Sequence, residues 1–207
     1  YREVWLDVRG ADVIEDVFVM TPSLDRAEIT LTVSGEPSRR RVTLLDGTGA
    51  VCAVTEGDDN KYYVNYLNAR PWTLDEPNLY LIRAELLDES GAVTDEKTIR
   101  FGFRTAEFRR SGFYLNGERV FLRGLNRHQC YPYMGYAAPE ALQREDARIL
   151  KEELCCTAVR TSHYRRASIS SMPATSWGCS CLPSFPAGST LAARSGSVSR
   201  SKMCARW

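Results

Sequence analysis

The sequence predicts a mainly β protein, in which an immunoglobulin-like sandwich is followed by the first strand–helix–strand unit of a parallel α/β fold. Three observations support this prediction. Apolar residues alternate with polar ones over the first hundred residues, and turn residues separate the alternating runs at regular intervals. Near residue 106 this period of two gives way to the period of a helix.

The alternating pattern is strongest at 27–33, 42–44 and 99–103. Turn signals such as Asp46-Gly47 separate these runs. About seven short strands in about 95 residues predict an immunoglobulin-like sandwich over 10–105. The Cys–Trp–Cys core of antibody domains is missing, so only the sandwich architecture is predicted.

A different pattern begins after the sandwich. The run from Phe113 to Leu122 predicts a hairpin around Asn116-Gly117. A helix with one apolar face is predicted over 139–154, and Ala158-Val159-Arg160 predicts a short buried strand after it. Strand, helix and strand in this order are the first unit of a parallel α/β fold.

Composition narrows the classes of function. No run of about 18 apolar residues occurs, so no membrane-spanning helix is predicted. The net charge is +1, and the six basic residues of 165–207 are scattered, without a patch or interleaved aromatic residues, which argues against a nucleic-acid partner. The seven cysteines form no zinc motif. The chain starts inside an apparent strand without Met or a leader, so an upstream piece is expected. The location therefore cannot be read from the N-terminus, and the cytoplasm is the default expectation.

Two clusters of polar residues follow the two predicted parallel strands. Asn126, Arg127 and His128 end the first, and Arg160 and His163 belong to the second. The active site of a (β/α) barrel lies at these strand ends. A single loop histidine is usually structural, but here the only two histidines of the chain converge with an arginine. Because imidazoles can donate hydrogen bonds to sugar hydroxyls, this convergence favours substrate binding.

Four motifs now identify a resemblance that covers residues 1–164. They are Phe-Leu-Arg-Gly-Leu-Asn-Arg-His-Gln at 121–129, Ala-Val-Arg-Thr-Ser-His-Tyr at 158–164, the Trp72 to Tyr80 segment, and Tyr-Arg-Glu-Val-Trp-Leu at 1–6. In this order they resemble glycoside hydrolase family 2, which contains β-galactosidases, β-glucuronidases and β-mannosidases. The nearest resemblance is to bacterial β-galactosidase-like members.

The resemblance implies a domain order and a reaction. Residues 1–9 would end a sugar-binding jelly roll, 10–105 would form the sandwich, and 106–164 would begin a TIM-barrel catalytic domain. The implied reaction is hydrolysis of terminal β-galactosides, or of related oligosaccharides, with retention of configuration. No cofactor is implied for this chain, although full-length members use Mg²⁺ or Na⁺, and full-length members are often homo-oligomers.

The resemblance also assigns roles to residues. It implies that His128, Arg160 and His163 line the sugar subsite and that Asn126 supports it. A retaining mechanism needs two carboxylates about 5 Å apart, and in this family they come from barrel strands four and seven. No acidic residue of this chain matches either position. The chain is therefore expected to lack catalytic residues and to be inactive.

This chain departs from the family pattern at several positions. Cys130 stands where this branch has Asp, Cys155 where it has Gly, and Thr157 where it has Asn. We expect Cys155 to crowd a turn that favours glycine, and the last two changes to affect substrate binding.

After Tyr164 the family pattern stops. Residues 165–207 contain 11 serines and no acidic residue. With one C restored after Tyr164, permitted codons for this stretch read in the next frame as the second helix and third strand of a barrel. We therefore interpret 165–207 as an out-of-frame, disordered tail.

Two alternatives stay open at this point. The sandwich, as the complete domain, could be a non-catalytic carbohydrate-binding or interaction module, although no exposed aromatic platform is predicted in it. Within the family, β-glucuronidase and β-mannosidase specificities remain alternatives to β-galactosidase. Glycan-array binding by residues 10–105 would favour the non-catalytic module.

Overall fold

The computed structural model describes residues 6, 8–128, 130–137, 139–162 and 180–183. Seven antiparallel strands come first, and they form two sheets, with strand orders β1-β2-β5 and β4-β3-β6-β7. The strands are β1 (Val13–Met20), β2 (Arg26–Ser34), β3 (Arg39–Leu45), β4 (Val51–Gly57), β5 (Lys61–Asn65), β6 (Tyr80–Leu87) and β7 (Val93–Phe101). We call these seven strands the sandwich.

The sandwich core lies between the two sheets. The alternating residues predicted from the sequence do face inwards, and Ala27, Ile29, Leu44 and Ile82 are fully buried. An aromatic group of Tyr80, Phe101 and Phe103 closes one side of the core. The predicted sandwich architecture is thus confirmed.

The predicted strand at the start of the chain is wrong where it can be described. Leu6, Val8 and Arg9 belong to no strand, and the side chains of Leu6 and Val8 are exposed. The other residues of 1–7 lie outside the described part of the chain. Alternation alone does not hold a strand at Leu6 and Val8, because a strand also needs a neighbour for its backbone hydrogen bonds.

A small antiparallel sheet links the sandwich to the next region. It consists of β8 (Ala106–Arg109), β9 (Gly112–Leu115) and β10 (Glu118–Val120). The predicted hairpin is present, and both turn residues adopt a positive φ, 52° at Asn116 and 84° at Gly117. Its second strand ends at Val120, earlier than predicted, and strand β8 was not predicted.

The region that follows is parallel. It contains β11 (Gly124–His128), α1 (Glu140–Arg148), a π-helical turn (Ile149–Glu153), β12 (Ala158–Ser162) and β13 (Ser180–Pro183), and we call it the parallel unit. Ala147 and Leu150 are buried with Val159, whereas Leu154 follows the helical turns and is half exposed. The predicted strand–helix–strand order is confirmed, and these strands form no closed barrel.

Strand β13 contradicts part of the predicted disordered tail. Ser180–Pro183 pairs in parallel with β12, from Ala158↔Ser180 to Thr161↔Pro183. At these four residues the prediction of disorder is wrong, because the edge of β12 provides backbone partners whatever the side chains are. The rest of 165–207 lies outside the described residues.

Hydrogen bonds connect the sandwich to the small sheet and to the parallel unit. The Asn116 side chain donates to the carbonyl oxygen of Trp72 at 3.0 Å and accepts from the backbone N–H of Thr105 at 3.0 Å. Lys151 donates to the carbonyl oxygen of Leu74 at 2.7 Å. Trp72 is fully buried, and Gly102 leaves room for it, since a Cβ there would lie 2.6 Å from the Trp72 Cβ. None of the described helices is long and apolar enough to cross a membrane.

Candidate functional site

The candidate site lies where β11 and β12 run side by side. Their parallel register pairs Asn126 with Arg160 and His128 with Ser162. Paired residues of neighbouring strands point to the same side of a sheet, and so do residues two apart in one strand. These four residues therefore share one face, at the C-terminal half of both strands.

The four side chains of this face differ in their exposure to solvent. The side chains of Asn126, His128 and Arg160 are exposed to solvent. Ser162 is buried, and its hydroxyl oxygen has no hydrogen-bond partner among the described residues. The structure thus brings together three of the four predicted site residues. The fourth, His163, lies outside the described residues.

Ser162 was not singled out from the sequence, although a signal for it existed. It lies two residues after Arg160 in the same strand, and a period of two places it on the same face.

The close approach of the two strands depends on Gly124, because any Cβ there would overlap the backbone carbonyl of Ala158.

Arg127 belongs to the opposite face, which corrects its grouping with Asn126 and His128. It is buried, and its Nε donates to Asp146 Oδ2 of helix α1 at 2.6 Å, with a second contact through Nη2. The hydroxyl of Tyr131, in the loop after β11, donates to Asp146 Oδ1. Asp146 therefore ties the end of β11 and the following loop to the helix.

Two of the departures from the family pattern lie at the other end of the strands. Cys155 has a φ of 50°, and the next N–H, that of Cys156, donates to the carbonyl oxygen of Leu150 at 2.8 Å. This is the left-handed helix end that favours glycine, as predicted. The Thr157 hydroxyl accepts from the N–H of Arg123 at 2.9 Å. Both residues shape the start of β12 and lie away from the candidate site.

The chemical character of the site is polar and cationic. An amide, an imidazole and a guanidinium share one open face, and such groups can bind several hydroxyls or a carboxylate. Neither β11 nor β12 contains an Asp or Glu residue, and the nearby Asp146 carboxylate is bonded to Arg127 and Tyr131. No group of three or more His, Cys, Asp or Glu side chains in the described ranges is placed to hold a metal ion.

Comparison with known proteins identifies the family to which this chain belongs. Residues 13–104 match the family model for glycosyl hydrolases family 2, and residues 106–170 match the model for the TIM barrel domain of the same family. The chain belongs to glycosyl hydrolases family 2. The sandwich is thus the family's N-terminal sandwich domain, and the parallel unit is the start of its barrel domain.

Relatives within family 2 carry two activities in their names. A β-galactosidase of Thermoanaerobacter pseudethanolicus is 39% identical over 181 residues, which cover 81% of this chain and 24% of the relative. A putative β-glucuronidase of Formosa agariphila is 32% identical, over 79% of this chain and 21% of the relative. The chain therefore spans about a quarter of the length of the relatives it matches.

Solved structures of family 2 agree with the fold. A β-glucuronidase of Ruminococcus gnavus superposes with a TM-score of 0.75 and 28% identity, over 84% of this chain and 30% of that one. A Bifidobacterium dentium β-glucuronidase, complexed with coumarin-3-O-glucuronide, gives a TM-score of 0.74 and 26% identity, over 84% and 31%.

Proposed function

We propose that the parallel unit provides one side of the sugar subsite of a retaining β-galactosidase. The observation that supports this most strongly is the pairing of β11 with β12. It gives Asn126, His128 and Arg160 one common, solvent-open face at the strand ends where barrel enzymes bind substrate. His163, next along the chain after β12, is proposed as the fourth member of this subsite.

Each proposed residue has a role that suits its chemistry. The imidazole of His128 and the amide of Asn126 form hydrogen bonds with sugar hydroxyls, and those bonds strengthen as the oxocarbenium-like transition state develops. In a longer family member that contains the carboxylate nucleophile, the guanidinium of Arg160 would hold that carboxylate in its ionised form. In these 207 residues it can donate hydrogen bonds to a sugar hydroxyl. The two catalytic carboxylates have no counterpart in these 207 residues, so we propose that the chain binds sugar without cleaving it.

A galactoside is the proposed sugar because β-galactosidases are among the more similar relatives, one at 39% identity. A β-glucuronide is the second candidate. Arg160 is an exposed cation on the proposed sugar face, and a cation can pair with the carboxylate that distinguishes glucuronate from galactose.

The test of sugar binding uses the two imidazoles of the 207-residue chain. With only His128 and His163 present, an NMR spectrum of labelled histidine contains two sets of signals, and a His163→Ala variant identifies those of His128. Methyl β-galactoside is expected to shift the His128 signals, and Arg160→Ala is expected to weaken that response. Arg123→Ala, which removes an exposed arginine at the opposite end of β11, is the matched control.

Several outcomes decide the proposal. Unchanged His128 signals at saturating galactoside would contradict the subsite, and a stronger response to methyl β-glucuronide would favour the second candidate. Aryl β-galactosides are expected to remain uncleaved by the purified chain. Turnover that is lost in His128→Ala would show that the chain is catalytic after all.

We also propose that the residues after Tyr164 are read out of frame. The barrel-domain match ends at residue 170. In the alternative frame the four residues at the positions of β13 are Leu-Val-Phe-Thr, and β13 lies beside β12, where a third barrel strand belongs. Sequencing the source DNA tests this proposal, because restoring one base after Tyr164 should give a continuing barrel. Codons that fail to encode Asp-Glu-Leu-Gly before that strand would contradict it.

The non-catalytic module has one feature in its favour that the sequence did not reveal. Tyr63 on β5 is half exposed. However, Arg26 and Lys61 lie over its ring at 4.9 and 5.4 Å from the centroid, so it is not a free surface for a sugar. We therefore place sugar binding in the parallel unit.

A further inference from the structure

The loop between β11 and α1 exposes an unusual amount of apolar surface. Within 130–137, Tyr133 is fully exposed, and Met134 and Tyr136 are about half exposed. Exposed apolar side chains that lie together on a soluble protein often mark a binding surface. In a (β/α) barrel this loop is the first of the loops from which the active site is built.

This loop has a fixed shape. Tyr131 and Gly135 exchange two backbone hydrogen bonds, of 3.0 and 2.9 Å. Between them, Tyr133 adopts a φ of 68°, a left-handed conformation that is unfavourable for a residue with a side chain. Such conformations persist where the surroundings impose them, and they cluster at sites that hold ligands.

The loop is also fastened to the end of strand β11. Asp146 accepts a hydrogen bond from the Tyr131 hydroxyl with one carboxylate oxygen and from Arg127 with the other. Arg127 directly precedes His128 in β11. The anchor lies on the helix side of the sheet, and it holds the start of the loop at the C-terminal end of β11, whose other side carries His128.

We propose that the ring of Tyr133, with Met134 and Tyr136 beside it, is a platform for the leaving group of a bound β-glycoside. The inference rests on the proposed function, which places the glycoside's first sugar against Asn126, His128 and Arg160. A phenol ring offers a flat apolar face with a polar tip. It suits either an aryl leaving group or the C–H face of a second sugar.

The test compares glycosides that differ only beyond the first sugar. Dissociation constants of the 207-residue chain for methyl β-galactoside, 4-nitrophenyl β-galactoside and lactose are measured by ligand-detected NMR. The nitrophenyl glycoside or lactose is expected to bind about threefold to tenfold more tightly than the methyl glycoside. A preference for the first identifies an aryl group as the better fit, and a preference for the second identifies a sugar.

Tyr133→Gly is the decisive variant. Glycine adopts a φ of 68° without steric strain, so this variant should fold at least as stably as the parent while lacking the ring. It should lose the preference for the larger leaving groups and keep the affinity for methyl β-galactoside. Tyr133→Phe should retain the preference. Tyr63→Gly, which removes an exposed tyrosine from the sandwich, should leave all three constants unchanged.

The outcomes separate this inference from the proposed function. Equal affinities for the three glycosides, or a preference that survives in Tyr133→Gly, would overturn the platform alone. Affinities that are unchanged in His128→Ala would overturn the sugar subsite. Absence of binding by the parent chain would overturn both.

Discussion

The sandwich and the parallel unit differ in how completely each sheet is covered. In the sandwich two sheets cover each other, and the buried cluster includes Ile14, Leu44, Ile82 and Phe103. In the parallel unit one helix covers one face, and the other face presents exposed polar side chains. The covered region supplies folding free energy by burial, whereas the open region keeps the groups that can bind a ligand.

The two regions also differ in what their charged pairs connect. In the sandwich, Glu85 accepts two hydrogen bonds from Arg41, at 2.8 and 3.0 Å, and this pair lies within the sheet β4-β3-β6-β7. In the parallel unit the Arg127–Asp146 pair joins a strand to a helix and also fixes a loop. The first pair supports a surface that is already packed, and the second orients the surroundings of the candidate site.

The largest expected effect comes from the sandwich core. Leu44→Ala should lower the free energy of unfolding of the sandwich by about 2–5 kcal/mol, because Leu44 is fully buried and its removal leaves a cavity. Urea denaturation followed by near-ultraviolet circular dichroism measures this change. Leu67→Ala is the control, since Leu67 is 85% exposed and its loss should change stability by less than about 0.5 kcal/mol. Equal effects of the two changes would contradict the described core.

A smaller effect is expected from the Glu85–Arg41 pair. The hydrogen bonds from Arg41 lower the pKa of Glu85 below its ordinary value, against the opposing effect of burial. Glu85→Gln should therefore cost about 1–3 kcal/mol at neutral pH. Urea denaturation at several pH values measures this cost.

The pH dependence gives this prediction a second measurement. Because the pKa of Glu85 is lower in the folded than in the unfolded state, its contribution is complete above the unfolded carboxyl pKa. It is lost as the pH falls through the folded value, so the parent and Glu85→Gln should converge in acid. Glu89→Gln, which removes an exposed carboxylate from a turn, is the control and should change the free energy of unfolding by less than about 0.5 kcal/mol. A difference between parent and variant that is independent of pH would rule out the ionised pair.

The smallest effect is a gain of stability in the parallel unit. Cys155→Gly should stabilise it by about 1 kcal/mol, because a side chain is strained at a φ of 50°. Amide hydrogen exchange at Leu150 and Cys156 measures the local gain. Cys155→Ala keeps a Cβ and should give no gain. A loss of protection in the glycine variant would instead show that the thiol contributes packing.

The sequence predicted whatever depended on local pattern. Alternation at 27–33 specified the buried face, Asn116-Gly117 specified the hairpin turn, and a family comparison marked Cys155 as a glycine position. Contacts between residues that are far apart in the chain could not be predicted from the sequence. Nothing local to Arg127 shows that its partner is Asp146, nineteen residues away. The contact of Arg26 with the Tyr63 ring, from a neighbouring strand, was missed for the same reason.

The Asn116 junction has a mechanical consequence. A single side chain, held in a left-handed turn, bonds Trp72 on one side and Thr105 on the other. Those bonds fix the turn between β9 and β10 to the sandwich, and the Lys151–Leu74 bond separately ties the π-helical turn of the parallel unit to it. The parallel unit is therefore attached to the sandwich at two places, through the small sheet that precedes it and through Lys151, and both attachments limit its reorientation.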